Sequence, residues 1–212
     1  MSDQNLKKMT ETLISGEEKE LLQLVNKTLD EGISAKVILN DGLICGMDIV
    51  GEKMETGDMF IPEVLRSARA MSGAVEILKP LLGEKDIRAG GKVVIGTVKG
   101  DLHDIGKNLV VMMLESAGFE VHNIGVDISP EKFVTAIKEK EADILALSAL
   151  LTTTMNMMKV TIDAVREGDL GDTVKILIGG APVTQEFADK IGADGYAPDA
   201  GSATKLAKAL LA

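Results

Sequence analysis

From residue 92 onward the chain repeats one pattern, a short aliphatic or β-branched run followed by a turn and then a stretch with helical spacing. The runs at 92–98, 120–124, 144–148 and 174–178 alternate with helical stretches near 106–117, 130–140, 155–167 and 184–191. Strands that recur about every 30 residues with helices between them predict parallel βαβ units. A fifth short strand at Gly195-Tyr196 and a last helix over 202–211 complete a five-stranded, flavodoxin-like (Rossmann-like) parallel sheet, an α/β domain spanning 92–212. In the common 2-1-3-4-5 order, the strands ending at Val98 and Ser148 flank the topological switch point, where ligands bind in such sheets.

The first part of the chain has a different period. Leu21, Leu22, Val25 and Leu29 recur at helical spacings, and helices are expected over 17–29, 34–54 and 61–82, with a short one at 6–13. Ser34 is placed to cap a helix, Gly32 and Gly57 to stop one, and Pro62 to sit in a first turn. These predict an N-terminal four-helix bundle over 1–83. A charged segment ending in Gly90-Gly91 marks a linker at 84–91.

Composition removes several classes of function. The 212 residues carry a net charge of −10, which is unsuited to a phosphate backbone, so no nucleic-acid partner is expected. No apolar stretch is long enough to span a bilayer, and the polar segment 1–20 has no signal-peptide core; no membrane and a cytoplasmic location are expected. Cys45 is the single cysteine, which rules out an intrachain disulfide and cysteine-based zinc spacings. It reads as a small buried hydrophobe, and His122, inside the second strand, as a structural histidine. The plentiful methionines read as fillers of irregular core gaps.

The chemistry concentrates in the run from Gly96 to Asn108. Its glycines are four and six apart, which fits neither a dinucleotide fingerprint nor a P-loop. No serine elbow is present, and His103 and His122 lack the spacing of a zinc helix. There remains Asp101-x-His103-x-x-Gly106, where a strand stops and a helix begins. A carboxylate two residues before an imidazole can bond its remote nitrogen, fixing the tautomer and raising the basicity of a metal-bound ring. Ser148, at the mouth of the neighbouring strand, is expected to hydrogen-bond Asp101 in turn, giving a Ser-Asp-His-metal relay.

The run Gly100-Asp101-Leu102-His103-Asp104-Ile105-Gly106-Lys107-Asn108, then Ser148-x-Leu150 with Thr152, then Gly179-Gly180-Ala181, resembles the three-part signature of base-off, His-on cobalamin-binding domains. The helical half, from Val50-Gly51-Glu52 to Met71, resembles the cap over the upper cofactor face in methionine synthase. A two-domain unit of this size is similar to the corrinoid proteins of three-component methyltransferase systems.

The resemblance implies cobalamin or a related corrinoid, bound base-off with His103 as lower axial ligand. Gly179 and Gly180 would open a slot for the displaced base, Ser148, Leu150 and Thr152 would line its other wall, and Tyr196 and Ala197 would flank the nucleotide tail. In the cap, Met54 and Ile61 match by position two residues that cover the methyl group, although methionine synthase has a phenylalanine at the first. The implied activity is that of a methyl carrier. It would accept a methyl group on Co(I) from a substrate-specific methyltransferase and pass it from methyl-Co(III) to a corrinoid:acceptor methyltransferase of the tetrahydrofolate or coenzyme M type.

A reductive activator is an implied partner as well, and the cap would swing about 83–91. The chain is then a component of a methyltransferase system in one-carbon metabolism rather than a complete enzyme. A cobalamin-dependent regulator or a mutase-type cobalamin-binding subunit are the alternatives; the first should carry a basic DNA-binding helix pair and the second lacks the cap. Methylamines, methanol, quaternary amines and methoxylated aromatics are all open as donors, the last two preferred.

Overall fold

The computed structural model describes residues 2–83, 90–167, 170 and 173–212. They divide into two compact units, one within Met1–Ala89 that also takes in Ser116–Gly118, the other within Gly90–Glu115 and Phe119–Ala212. Most of the expected linker, residues 84–89, lies outside the described residues.

The first unit is a bundle of four helical rods. Helix α1 runs Ser2–Ser15 and α2 Glu18–Asp30. The third rod begins as α3, Ala35–Val37, passes through a π-helical stretch, Ile38–Ile44, and continues as α4, Cys45–Thr56. The fourth, α5, covers Ile61–Leu78 and tightens into a 3-10 turn, Lys79–Leu81.

The expected punctuation is present. The Ser34 hydroxyl accepts from the Val37 amide, and Gly57 ends α4 at φ +80°. At the start of α5 the Glu63 carboxylate accepts the Phe60 amide at 2.9 Å, with Pro62 in the first turn, where its missing N–H costs nothing.

Two details differ from expectation. The fourth rod leaves the α-helix at Lys79 rather than at 82, because Pro80 has no N–H for the ladder. The third rod is not uniformly α. In its π-helical stretch the Gly42 carbonyl accepts the Thr10 hydroxyl of α1 at 2.9 Å. Gly42 and Gly46 bring this rod close to α1; a Cβ at either would lie 2.9 Å from Met9 Sδ or 2.7 Å from Leu13 Cδ2.

The second unit is a five-stranded parallel sheet: β1 Lys92–Thr97, β2 Glu120–Asn123, β3 Ile144–Ser148, β4 Lys175–Gly179 and β5 Gly195–Ala197. The order is β2-β1-β3-β4-β5, the common flavodoxin-like order expected from the sequence. β1, β3 and β4 are apolar and buried almost throughout, as strands covered on both faces must be. The helices are α6 Ile105–Ser116, α7 Pro130–Lys140, α8 Asn156–Glu167, α9 Gln185–Ile191 and α10 Ala200–Leu211.

On one face Phe133 and Ile137 of α7, Met158 and Ile162 of α8 and Ile191 of α9 pack on Val94, Leu145 and Ile176. Burying a ring such as Phe133 contributes about 2–3 kcal/mol. Helix α10 starts two residues before the expected Ser202, because the Asp199 carboxylate caps it by accepting the Ser202 amide at 2.8 Å. No helix among the described residues is long and apolar enough to cross a membrane.

Strand register positions the site. Thr97 pairs with Ser148, Ser148 with Gly179 and Gly179 with Ala197, so the last residues of four strands form one row at the carboxyl rim.

Candidate functional site at the carboxyl rim of the sheet

Beyond β1 the backbone keeps its contact with β3 for one more residue, the Val98 amide donating to the Ser148 carbonyl at 3.0 Å. It then turns, with the Asp101 amide donating back to Val98 at 3.1 Å and Gly100 at φ +83°, a conformation that favours glycine. The turn delivers Asp101 into the interior, where it is fully buried.

Each Asp101 oxygen is occupied. Oδ1 accepts the His103 amide at 3.1 Å and lies 2.7 Å from His103 Nδ1. Oδ2 accepts the Leu150 amide at 2.8 Å, the Leu151 amide at 3.3 Å and the Thr154 hydroxyl at 2.8 Å. Burial alone would raise the carboxyl pKa. The Leu150 amide, both His103 groups and the Thr154 hydroxyl outweigh it and hold the pKa well below the ordinary aspartate value.

An ionised Asp101 can only accept, so the proton on the His103 ring sits on Nδ1 and the Nε2 lone pair is free. The ring is half exposed, with 51% of its side-chain surface accessible, and the Thr97 hydroxyl pins the His103 carbonyl at 2.9 Å. Among the described residues no three His, Cys, Asp or Glu side chains converge as a metal site. His103 Nε2 could serve as one ligand to a metal that brings its other ligands with it.

The surroundings fit such a group. Leu102 and Ile105, on either side of the histidine, are 72% and 84% exposed, and Leu150 and Leu151 are exposed beside them. That is a cluster of apolar surface a soluble domain does not normally leave open. A Cβ at Gly106 would meet nothing within 4 Å. Gly180 adopts φ +133°, and a Cβ there would overlap the Ala149 carbonyl oxygen, whereas one at Gly179 would lie 3.0 Å from the Ala197 carbonyl. These glycines keep the rim between β3, β4 and β5 narrow and free of side chains. Thr152 is exposed, Tyr196 half-buried and Ala197 buried. Asp104 is exposed and holds Asn108 Nδ2 at 3.0 Å.

Several expectations are corrected. The hydroxyl on Asp101 belongs to Thr154, not to Ser148. Ser148 ends β3 level with Thr97, whereas Asp101 lies further along, opposite the amides of Leu150 and Leu151 and the first turn toward α8. Cys45 is exposed rather than buried. His122 has its Nε2 3.3 Å from Glu120 Oε1, two residues away on the same strand.

Met54 and Ile61 belong to the helical unit. Met54 is half-buried, while Ile61 is exposed together with Phe60 and with Leu65 one turn on. In the sequence Lys107 is one member of the run from Gly100 to Asn108. It is 4% exposed and donates from Nζ to Asn108 Oδ1 at 2.8 Å and Asn123 Oδ1 at 2.7 Å, tying the start of α6 to the end of β2. Burial lowers its pKa, and nearby Asp104 opposes the shift. A lysine directly after Gly106 was the available signal; its burial was not legible.

Comparison with known proteins gives the chain a family. A family model described as a B12 binding domain matches residues 91–205, and a second model of the same description matches residues 6–79. The dimethylamine corrinoid protein of Methanosarcina barkeri is 44% identical over 98% of this chain and 97% of its own length. A crystal structure of a cobalamin-binding protein from Desulfitobacterium hafniense DCB-2 superimposes with a TM-score of 0.85 at 31% identity, covering 98% of each chain. The methanol:cobalamin methyltransferase complex of Methanosarcina barkeri gives a TM-score of 0.84 at 30% identity, over 99% of this chain and 80% of that one.

Proposed function

Because the chain belongs to the B12-binding corrinoid proteins of methyltransferase systems, we propose that it is the methyl carrier of such a system, with His103 Nε2 as the lower axial ligand of a corrinoid bound base-off. The observation that carries this is the Asp101–His103 pair, in which a buried, fully engaged carboxylate keeps the proton on Nδ1 and the lone pair on Nε2 of a half-exposed ring. When bound, the corrinoid supplies a nucleophilic cobalt that takes a methyl group from one partner and yields it to another.

This chain's residues do the remaining work. Asp101 and Thr154 orient the ring and set its basicity. Leu102, Ile105, Leu150 and Leu151 offer apolar surface to the macrocycle. Gly179 and Gly180 keep side chains off this rim, and the displaced base would lie beside them, with Ser148, Thr152, Tyr196 and Ala197 along the slot. Met54 and Ile61 of the helical unit would shield the upper face. The partners are a substrate-specific methyltransferase, a corrinoid:acceptor methyltransferase and a reductive activator. The 44% identity to a dimethylamine corrinoid protein supports a methylated amine as the donor. The exposed thiol of Cys45 supports a reducing, cytoplasmic setting.

Anaerobic reconstitution with hydroxocobalamin tests the reading. The wild type takes up corrinoid and shows a histidine-ligated spectrum, whereas His103→Gln loses that signature. Incubation with candidate methyltransferases and methylated amines then changes the cobalt spectrum, and methanol does not. Absence of corrinoid uptake, or an unchanged axial spectrum in His103→Gln, overturns it.

A further inference from the structure

Among the described residues only Asp127 and Glu141 are non-glycine residues at positive φ. Glu141 ends α7, a place where left-handed residues are ordinary. Asp127, at φ +54°, lies in the loop after β2 and ends no helix. Its conformation points two of its groups at the histidine loop. The carboxylate Oδ1 accepts the Gly100 amide at 2.7 Å, and the Asp127 amide donates to the Asp101 carbonyl at 3.0 Å. The rest of this loop is laced to the end of β1, with Thr97 donating to Gly125 and Ile128 donating to Thr97, both at 3.0 Å.

We propose that Asp127 is a positioning residue for the axial ligand: it clasps the backbone on both sides of Asp101 and so aims the carboxylate that orients His103. The proposal rests on His103 being that ligand. The backbone of Asp101 is then held at three points, its own amide by Val98, its carbonyl by the Asp127 amide, and the preceding Gly100 amide by the Asp127 carboxylate. Since the Cα–Cβ direction follows from the backbone, these bonds settle where Asp101 points. The five donors on its carboxylate then keep it there. A positive φ at a residue with a Cβ is unfavourable, and Asp and Asn tolerate it best. A persistent unfavourable conformation beside a ligand loop is where strain is retained for function.

Two variants separate the carboxylate from the backbone conformation. Asp127→Gly relieves the backbone and removes the acceptor; Asp127→Asn keeps an acceptor and tolerates positive φ. In the cofactor-free protein, NMR hydrogen exchange of the Gly100 amide should be slow in the wild type and about tenfold faster in Asp127→Gly, the effect of losing one charge-assisted hydrogen bond. After reconstitution and reduction to Co(II), electron paramagnetic resonance should show nitrogen splitting from His103. Its equilibrium constant for ligation should fall about tenfold in Asp127→Gly, as for other residues that hold a ligating histidine through a neighbour, and recover most of the way in Asp127→Asn.

Exchange of Gly100 at the solvent rate in the wild type overturns the proposal, as does an Asp127→Gly protein with wild-type exchange and wild-type ligation. A wild type that takes up cobalamin without histidine splitting overturns the axial-ligand reading instead, and the Gly100 exchange still decides the clasp.

Discussion

The two units use their hydroxyl and carboxylate groups differently. In the helical unit most of them are spent close at hand: Thr12, Thr28 and Ser72 each return a hydroxyl to the carbonyl four residues earlier on their own helix. In the sheet unit Thr135, Thr161 and Thr204 do the same within their helices, but the groups at the carboxyl rim reach across the chain. Asp101 binds residues about 50 positions away, Asp127 reaches back to Gly100, and Thr97 holds the His103 carbonyl. Local bonds support a rod, whereas long-range bonds fix one loop against two others. The helical unit thus holds its rods largely from within, and the rim of the sheet unit fixes the histidine loop from several sides.

Glycine substitutions should break this symmetry most strongly. In Gly180→Ala the new methyl group meets the Ala149 carbonyl at a φ that alanine resists, and the sheet unit should lose about 4 kcal/mol. In Gly46→Ala the methyl group meets only the movable end of Leu13, and alanine's better helix propensity offsets the crowding, so the loss should stay below about 1 kcal/mol. Tyr196, the single tyrosine in a chain without tryptophan, reports sheet-unit unfolding by fluorescence, while circular dichroism follows both units. Equal losses would abolish the distinction.

Asp101→Asn comes next. It places an NH2 group among five donors, and a loss of about 3 kcal/mol is expected in urea titrations followed at Tyr196. The acid response follows from the depressed pKa of Asp101 in the folded state. Its contribution is complete above about pH 4, the ordinary aspartate range, and is lost as pH falls toward the folded value. The wild-type sheet unit should therefore weaken as pH drops below that range, and Asp101→Asn should weaken less steeply. An identical pH slope in both would count against an engaged Asp101.

The smallest effect compares two threonines. Thr154→Val leaves the buried Asp101 oxygen short of a donor and should cost about 2 kcal/mol, while Thr28→Val, whose hydroxyl only returns to its own helix, should cost about 0.5 kcal/mol. A reversed order would show that the bond to Asp101 contributes little.

Much of this was legible in the chain. The apolar runs named every strand to within a residue or so, the caps and stops at Ser34, Gly57 and Pro62 were in place, and Asp101 and His103 are two residues apart, so their contact needed only a turn. The π-helical stretch was not legible, because the Thr10 hydroxyl that donates to its Gly42 carbonyl comes from another helix. Nor was the choice of Thr154 over Ser148, which depends on how far the Asp101 turn carries past the end of β3. Cys45 reads as a small buried hydrophobe, yet at the end of the π-helical stretch it is exposed between half-buried Ile44 and buried Gly46.

By itself the sequence determined the parallel α/β architecture, the helical bundle before it and the histidine loop, since these follow from periodicity, glycine and proline placement, and contacts between near neighbours. Only the tertiary structure decided which hydroxyl serves Asp101, that Lys107 is buried, and that Asp127 clasps the loop from the next crossover. Those contacts join residues far apart in the chain, and strand register, which no local pattern encodes, sets which of them meet.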